Sequence, residues 1–82
     1  MNPLSTRSYA ALVAHVAQLI EISADELGPD DSLVDWGLDS LRLMSLVEAF
    51  EASGVPVEFL DLVEQPTLRH YASLLGATDV PS

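Results

Sequence analysis

Three stretches of this chain repeat large apolar residues at i, i+3, i+4 and i+7, and nowhere does an alternation run long enough to make a useful strand. Tyr9, Leu12, Val13, Val16 and Ile20 form the first stripe, widened by Leu19. Leu43, Leu46, Val47 and Phe50 form the second, and Leu68, Tyr71, Ala72 and Leu75 the third. Residues at this spacing share one side of a helix, so each helix needs a partner to cover that side. The first helix is expected from Ser5 to Glu21, with Ser5 or Thr6 as its cap. The second runs from Ser40 to Ser53 and stops at Gly54; the last is capped by Thr67 and ended by Gly76. Between them, Gly54-Val55-Pro56-Val57 reads as an extended connector with both valines inward. Glu58 to Glu64 has room for a two-turn helix. Phe59 and Val63 share one side of it and Leu62 another, and the sequence leaves open which side is buried.

The expected fold is all-α, a small four-helix bundle with three longer helices, one short third helix and a long loop between the first and second. Its 82 residues suffice for one domain, 1–82, with an ordered core over about 5–76. Residues 1–4 are expected to be a loose end and residues 77–82 a mobile tail. Within the long loop, Ser23 and Glu26 have capping-box spacing, Gly28-Pro29 stops that turn, and Leu33, Val34, Trp36 and Leu38 give the loop something to bury. Trp36 is the expected anchor, packed on the core.

Charge narrows the function. Thirteen acidic residues stand against three basic ones, Arg7, Arg42 and Arg69, for a formal charge of −10, which disfavours nucleic acid and anionic membrane as partners. Seven of the acids lie between Glu21 and Asp39 with no basic residue among them. Acidic runs are commonly solvated loops. The EF-hand order of ligands cannot be laid on Asp30 to Asp39, so no calcium site is expected there. With no Cys there is neither a disulfide framework nor a thiolate of the chain's own. His15 falls off the first stripe, and Arg69 and His70 off the last, as solvated side chains do. No metal pattern, glycine-rich phosphate loop or nucleophile elbow is present, so catalysis by the chain itself is not expected. No uncharged apolar run reaches bilayer length and no signal-peptide pattern opens the chain; a cytoplasmic monomer is the reading.

One serine stands out. The acidic loop ends at Gly37-Leu38-Asp39-Ser40-Leu41, where the second helix starts, placing Ser40 at a helix N-terminus. Free amides and the positive end of the helix dipole favour an anion there. Leu41 falls nearly opposite the core stripe and Met44 on its flank, leaving two apolar side chains over once the core is satisfied.

These residues resemble the attachment site of phosphopantetheine-dependent carrier proteins. Asp31-Ser32-Leu33, the run from Asp35 to Met44, Val57-Glu58-Phe59 and Pro66-Thr67-Leu68 match the landmarks of that fold from about residue 12 to 75. The resemblance implies 4′-phosphopantetheine, derived from coenzyme A, on Ser40, with Asp39 as part of the motif. It further implies a phosphopantetheinyl transferase, an adenylation enzyme, and a downstream condensation or acyltransferase enzyme as partners. Asp39 and Asp35 would then serve recognition or metal contact on the transferase side. Gly-Leu-Asp-Ser-Leu-Arg-Leu-Met is most similar to aryl carriers of nonribosomal peptide synthesis. By that likeness Leu41, Met44, Phe59 and Val63 would form the face met by partners. Leu38 replaces a second Gly common in peptidyl carriers, and Arg42 departs from the acidic residue of fatty-acid carriers; a polyketide acyl carrier stays open. The rival from another class is an unmodified acidic interaction module, in which Ser40 only caps the helix and Leu41, Met44 and Phe59 bind one partner.

Overall fold

The computed structural model describes residues 4–81, so the expectations for residues 1–3 and 82 lie outside it. Four α-helices follow in order: α1 (Tyr9–Ile20), α2 (Ser40–Ala52), α3 (Phe59–Glu64) and α4 (Leu68–Leu75), with a 3₁₀ turn at Ala24–Glu26 and no strand among the described residues. The bundle has a long α1–α2 loop and a short α3, as its periodicity implies.

Each helix start has a local cause. Ser8, not Ser5 or Thr6, caps α1, its hydroxyl accepting from the Ala11 amide at 3.1 Å. Helix formation begins later than expected because Leu4 is fully buried and the following turn, with the Arg7 amide on the Leu4 carbonyl, must close first. Leu4 is therefore no loose end. Thr67 caps α4 through the His70 amide, and Gly76 ends it at φ 84°, a left-handed conformation costly for other residues.

The three stripes meet in one core, in which Leu12, Val16, Leu46, Phe50, Leu68 and Tyr71 have no exposed surface. Leu62 joins them at 0%, while Phe59, Leu60 and Val63 stay out, which settles the orientation of α3. Burying a leucine side chain contributes about 1.5–3 kcal/mol, and Leu62 is the residue of α3 that makes this contribution in full. A hydrogen bond across the core adds to it: the buried Tyr71 hydroxyl donates to the Leu62 carbonyl at 2.6 Å. Val57 is buried and Val55 half-buried against the same core.

Three expectations fail. The tail is docked: Asp79 accepts from the Tyr9 and Ala10 amides at 2.6 and 3.4 Å, capping free donors of α1, and the Pro81 carbonyl accepts from Arg69 at 2.9 Å. Arg69 is no free surface side chain, because its guanidinium also makes two bonds to the Asp30 carboxylate at 2.8 and 3.1 Å. Nor is either histidine simply solvated, since His70 Nε2 lies 3.1 Å from the Asp61 carbonyl and His15 is half-buried with its Nε2 out of reach of water. Among the described residues no helix is long and apolar enough to cross a membrane.

Candidate functional site

The loop before α2 is held at both ends. Pro29 accepts from the Arg69 amide and Leu33 donates to Pro66, both at 2.9 Å, which seats the loop on the start of α4. From Leu33 the backbone turns back on itself, with the Gly37 amide on Val34 and the Leu38 amide on Leu33. Gly37 has φ +113°, a conformation rarely open to side-chain-bearing residues, although a Cβ there would meet nothing within 4 Å. The demand on position 37 is thus conformational rather than steric.

That turn corrects the expectation for Trp36. Closing it folds Leu33 and Leu38 into the core, at 0 and 2% exposure, and leaves the residues between them outside, Val34 at 52% and Trp36 at 36%. The anchors are the two leucines. Trp36 is surface.

Ser40 follows as the first residue of α2, exposed to solvent. Its neighbour, not Ser40 itself, is the cap. Asp39 is in extended conformation, and its Oδ1 accepts from the Arg42 amide at 3.0 Å while its backbone carbonyl takes the Leu43 amide at 2.9 Å. The Ser40 hydroxyl therefore makes no hydrogen bond with another described residue, and the amides of Ser40 and Leu41 are likewise unspent. The role assigned to Ser40 by the unmodified-module reading is already filled.

Both Asp39 oxygens are engaged, because Oδ2 also accepts from Arg42 Nη1 at 2.7 Å. The Arg42 amide first, and then its guanidinium charge, hold the Asp39 carboxyl below its usual range. Arg42 continues outward to α1, with Nε on the Leu19 carbonyl at 2.7 Å and Nη2 at 3.9 Å from the Glu21 carboxylate. Asp35, by contrast, is exposed and its carboxylate makes none of these bonds.

Ser40 opens onto a groove of about 510 Å³ between the loop and α3, lined by Val34, Gly37, Leu43, Phe59 and Val63. Phe59 also walls a second hollow of about 250 Å³ with Met44, Val47 and Glu48. Three of the four residues expected on a docking face thus adjoin these hollows. Leu41 lines neither but is the most exposed large apolar side chain among the described residues, at 77%, with Met44 at 57%. Val34 and Leu60, the latter 61% exposed, extend the apolar surface and were not anticipated; in an irregular loop and a six-residue helix, periodicity carries no directional signal. No group of three or more acidic or histidine side chains among the described residues is placed to hold a metal ion.

The family model described as phosphopantetheine attachment site matches residues 10–75. The phenyloxazoline synthase MbtB of Mycobacterium tuberculosis is 42% identical over 64 residues, 78% of this chain and 4% of that protein. The pseudomonine synthase PmsE of Pseudomonas entomophila is 40% identical over 73 residues, 89% of this chain and 12% of that protein. The isochorismatase of Bacillus subtilis is 37% identical over 60 residues, 73% and 19% respectively. The chain spans less than a fifth of the length of each of these relatives. No solved structure matches it.

Proposed function

Because this chain belongs to the phosphopantetheine attachment-site family, non-catalytic carriers that bear 4′-phosphopantetheine covalently, we propose that Ser40 is the residue that bears it. The observation that carries this reading is the Ser40 hydroxyl: solvent-exposed, with no hydrogen bond to another described residue, and set at a helix start whose first two amides are unspent among the described residues. A phosphodiester fits there, because it meets those donors and the positive end of the helix dipole without burying charge. When bound, the arm supplies a terminal thiol that holds an acyl, aryl or aminoacyl group as a thioester.

The chain's own residues supply position. Asp39 takes the cap and so leaves the neighbouring hydroxyl outward. Gly37 permits the turn that brings Asp39 and Ser40 to the surface while Leu38 goes in. The apolar groove beside Ser40, with the Asp39 carboxylate in its lining, suits partners that present an apolar contact beside a basic group. Leu41, Met44, Phe59 and Val63 are proposed as the contacts made with an adenylation enzyme and with a downstream condensation or acyltransferase enzyme. Likeness to two synthases and an isochorismatase supports an aryl or aminoacyl cargo in nonribosomal peptide synthesis over a polyketide role. A single monomeric domain in the cytoplasm, where coenzyme A is at hand for a phosphopantetheinyl transferase, belongs to the same proposal.

Incubation of the purified chain with coenzyme A, Mg²⁺ and a broad-specificity transferase, followed by intact mass measurement, tests it. A single phosphopantetheinyl gain, absent in Ser40→Ala, is expected. No gain in the unmutated chain, or a gain that survives Ser40→Ala, overturns it in favour of the unmodified module or of another site.

A further inference from the structure

Asp39 and Ser40 are adjacent, and both residue types are strong helix caps. A helix that starts here has two nearly equivalent registers. In one, Asp39 caps and the serine hydroxyl is free. In the other, Ser40 caps, its hydroxyl accepting from the amide three residues on, at Leu43, and it is then spent on the backbone. The structure holds the first register.

We propose that Arg42 is the positioning residue of the attachment site, selecting Asp39 over Ser40 as the cap of α2 and so keeping the Ser40 hydroxyl available. The proposal rests on Ser40 being the attachment residue. The cap bond itself, from the backbone amide of residue 42 to Asp39 Oδ1 at 3.0 Å, needs no particular side chain there; what the Arg42 side chain adds is a second bond, from Nη1 to Asp39 Oδ2 at 2.7 Å. The same guanidinium donates from Nε to the Leu19 carbonyl at 2.7 Å. Leu19 is the penultimate residue of α1, and its carbonyl is one of the last four that a helix leaves without an internal partner. The cap is thereby tied to a fixed point on another helix, at the end whose dipole favours a cation. A planar fork reaches carboxylate and carbonyl in different directions at once. A lysine ammonium is a single point and cannot span both at these positions. The Arg42 side chain is only 37% exposed, so most of it is committed inside the molecule rather than offered to a partner.

The test compares the initial rate of transfer from coenzyme A for the unmutated chain, Arg42→Met, Arg42→Lys, Asp39→Ala and the Asp39→Ala/Arg42→Met double variant, each checked for unchanged helical circular dichroism. Arg42→Met and Arg42→Lys are expected to be modified about twofold more slowly, because without the tie the two nearly equivalent caps share the population and only about half of the molecules keep the hydroxyl free. The double variant should be no slower than Asp39→Ala alone, because Arg42 acts through Asp39. A readout independent of the transferase is the Asp39 side-chain carboxyl followed by NMR titration, whose midpoint should rise in Arg42→Met. Transfer at the unmutated rate in Arg42→Met, recovery in Arg42→Lys, or losses that multiply in the double variant would each overturn the proposal. Absence of modification in the unmutated chain would instead overturn the assignment of Ser40.

Discussion

His15 is the residue at which the fold meets pH. Its Nε2 is buried without a partner among the described residues, and burial lowers the imidazole pKa from the usual 6.5. The folded state therefore holds the neutral ring, and the unfolded chain takes up the proton first. Stability from this residue is complete above pH 6.5 and declines as the pH falls from 6.5 toward the lower folded value. Urea unfolding across that window should show the decline, and His15→Gln, which cannot titrate, should remove that contribution; an unchanged slope would place the proton elsewhere. The exposed carboxylates act lower on the scale. Arg69 holds Asp30 below 3.8, Arg42 holds Asp39, and the Tyr9 amide holds Asp79, so what these contribute is present above 3.8 and lost on further acidification through their folded values.

Among the elements, α3 gives the sharpest contrast, because Leu62 is fully buried while Phe59 and Val63, proposed as docking contacts, are exposed. Leu62→Ala should cost about 2–5 kcal/mol in a denaturant titration, since the side chain is fully buried and its removal leaves a cavity. Phe59→Asp or Met44→Asp, on the outer surface, should leave helical circular dichroism intact while weakening transfer of cargo to a downstream enzyme. Loss of helicity in those two would mean that core had been mistaken for docking surface. The stripes of α1, α2 and α4 were legible because three or four apolar residues at helical spacing outweigh any local preference, and Ser40 because its neighbours fix a helix start. What was not legible came from contacts distant along the chain. Which of Ser5, Thr6 and Ser8 caps α1 depends on burying Leu4. Whether Leu33 and Leu38 or Trp36 enters the core depends on a turn closed by backbone bonds. Arg42 looked like a family departure, and its bond to Leu19 is invisible without the packing of α1 on α2.

At the scale of the whole molecule, charge is arranged rather than merely abundant. Each of the three arginines is drawn into internal contacts: Arg7 on the Ser53 carbonyl, Arg42 between α1 and α2, and Arg69 between the loop, α4 and the tail. The acids are left to dominate the surface, which steers the chain toward basic partners. The tail is the other whole-molecule feature. Asp79 touches Tyr9 across an interval of 70 residues, within an envelope of 27 × 26 × 22 Å. A circular permutant joined by a short Gly/Ser link and reopened before Pro56, which is exposed and has no amide proton to lose, should keep its helicity and the modification proposed at Ser40. A collapsed spectrum would mean that the order of the helices matters more than their closure. Geometrically the bundle is a ring with a buckle: a polypeptide threaded into it beside Tyr9 comes out by the same doorway. Fused between two larger bodies, it would hang to one side as a pendant, and a pull on its two ends would peel the buckle open before loading the helices.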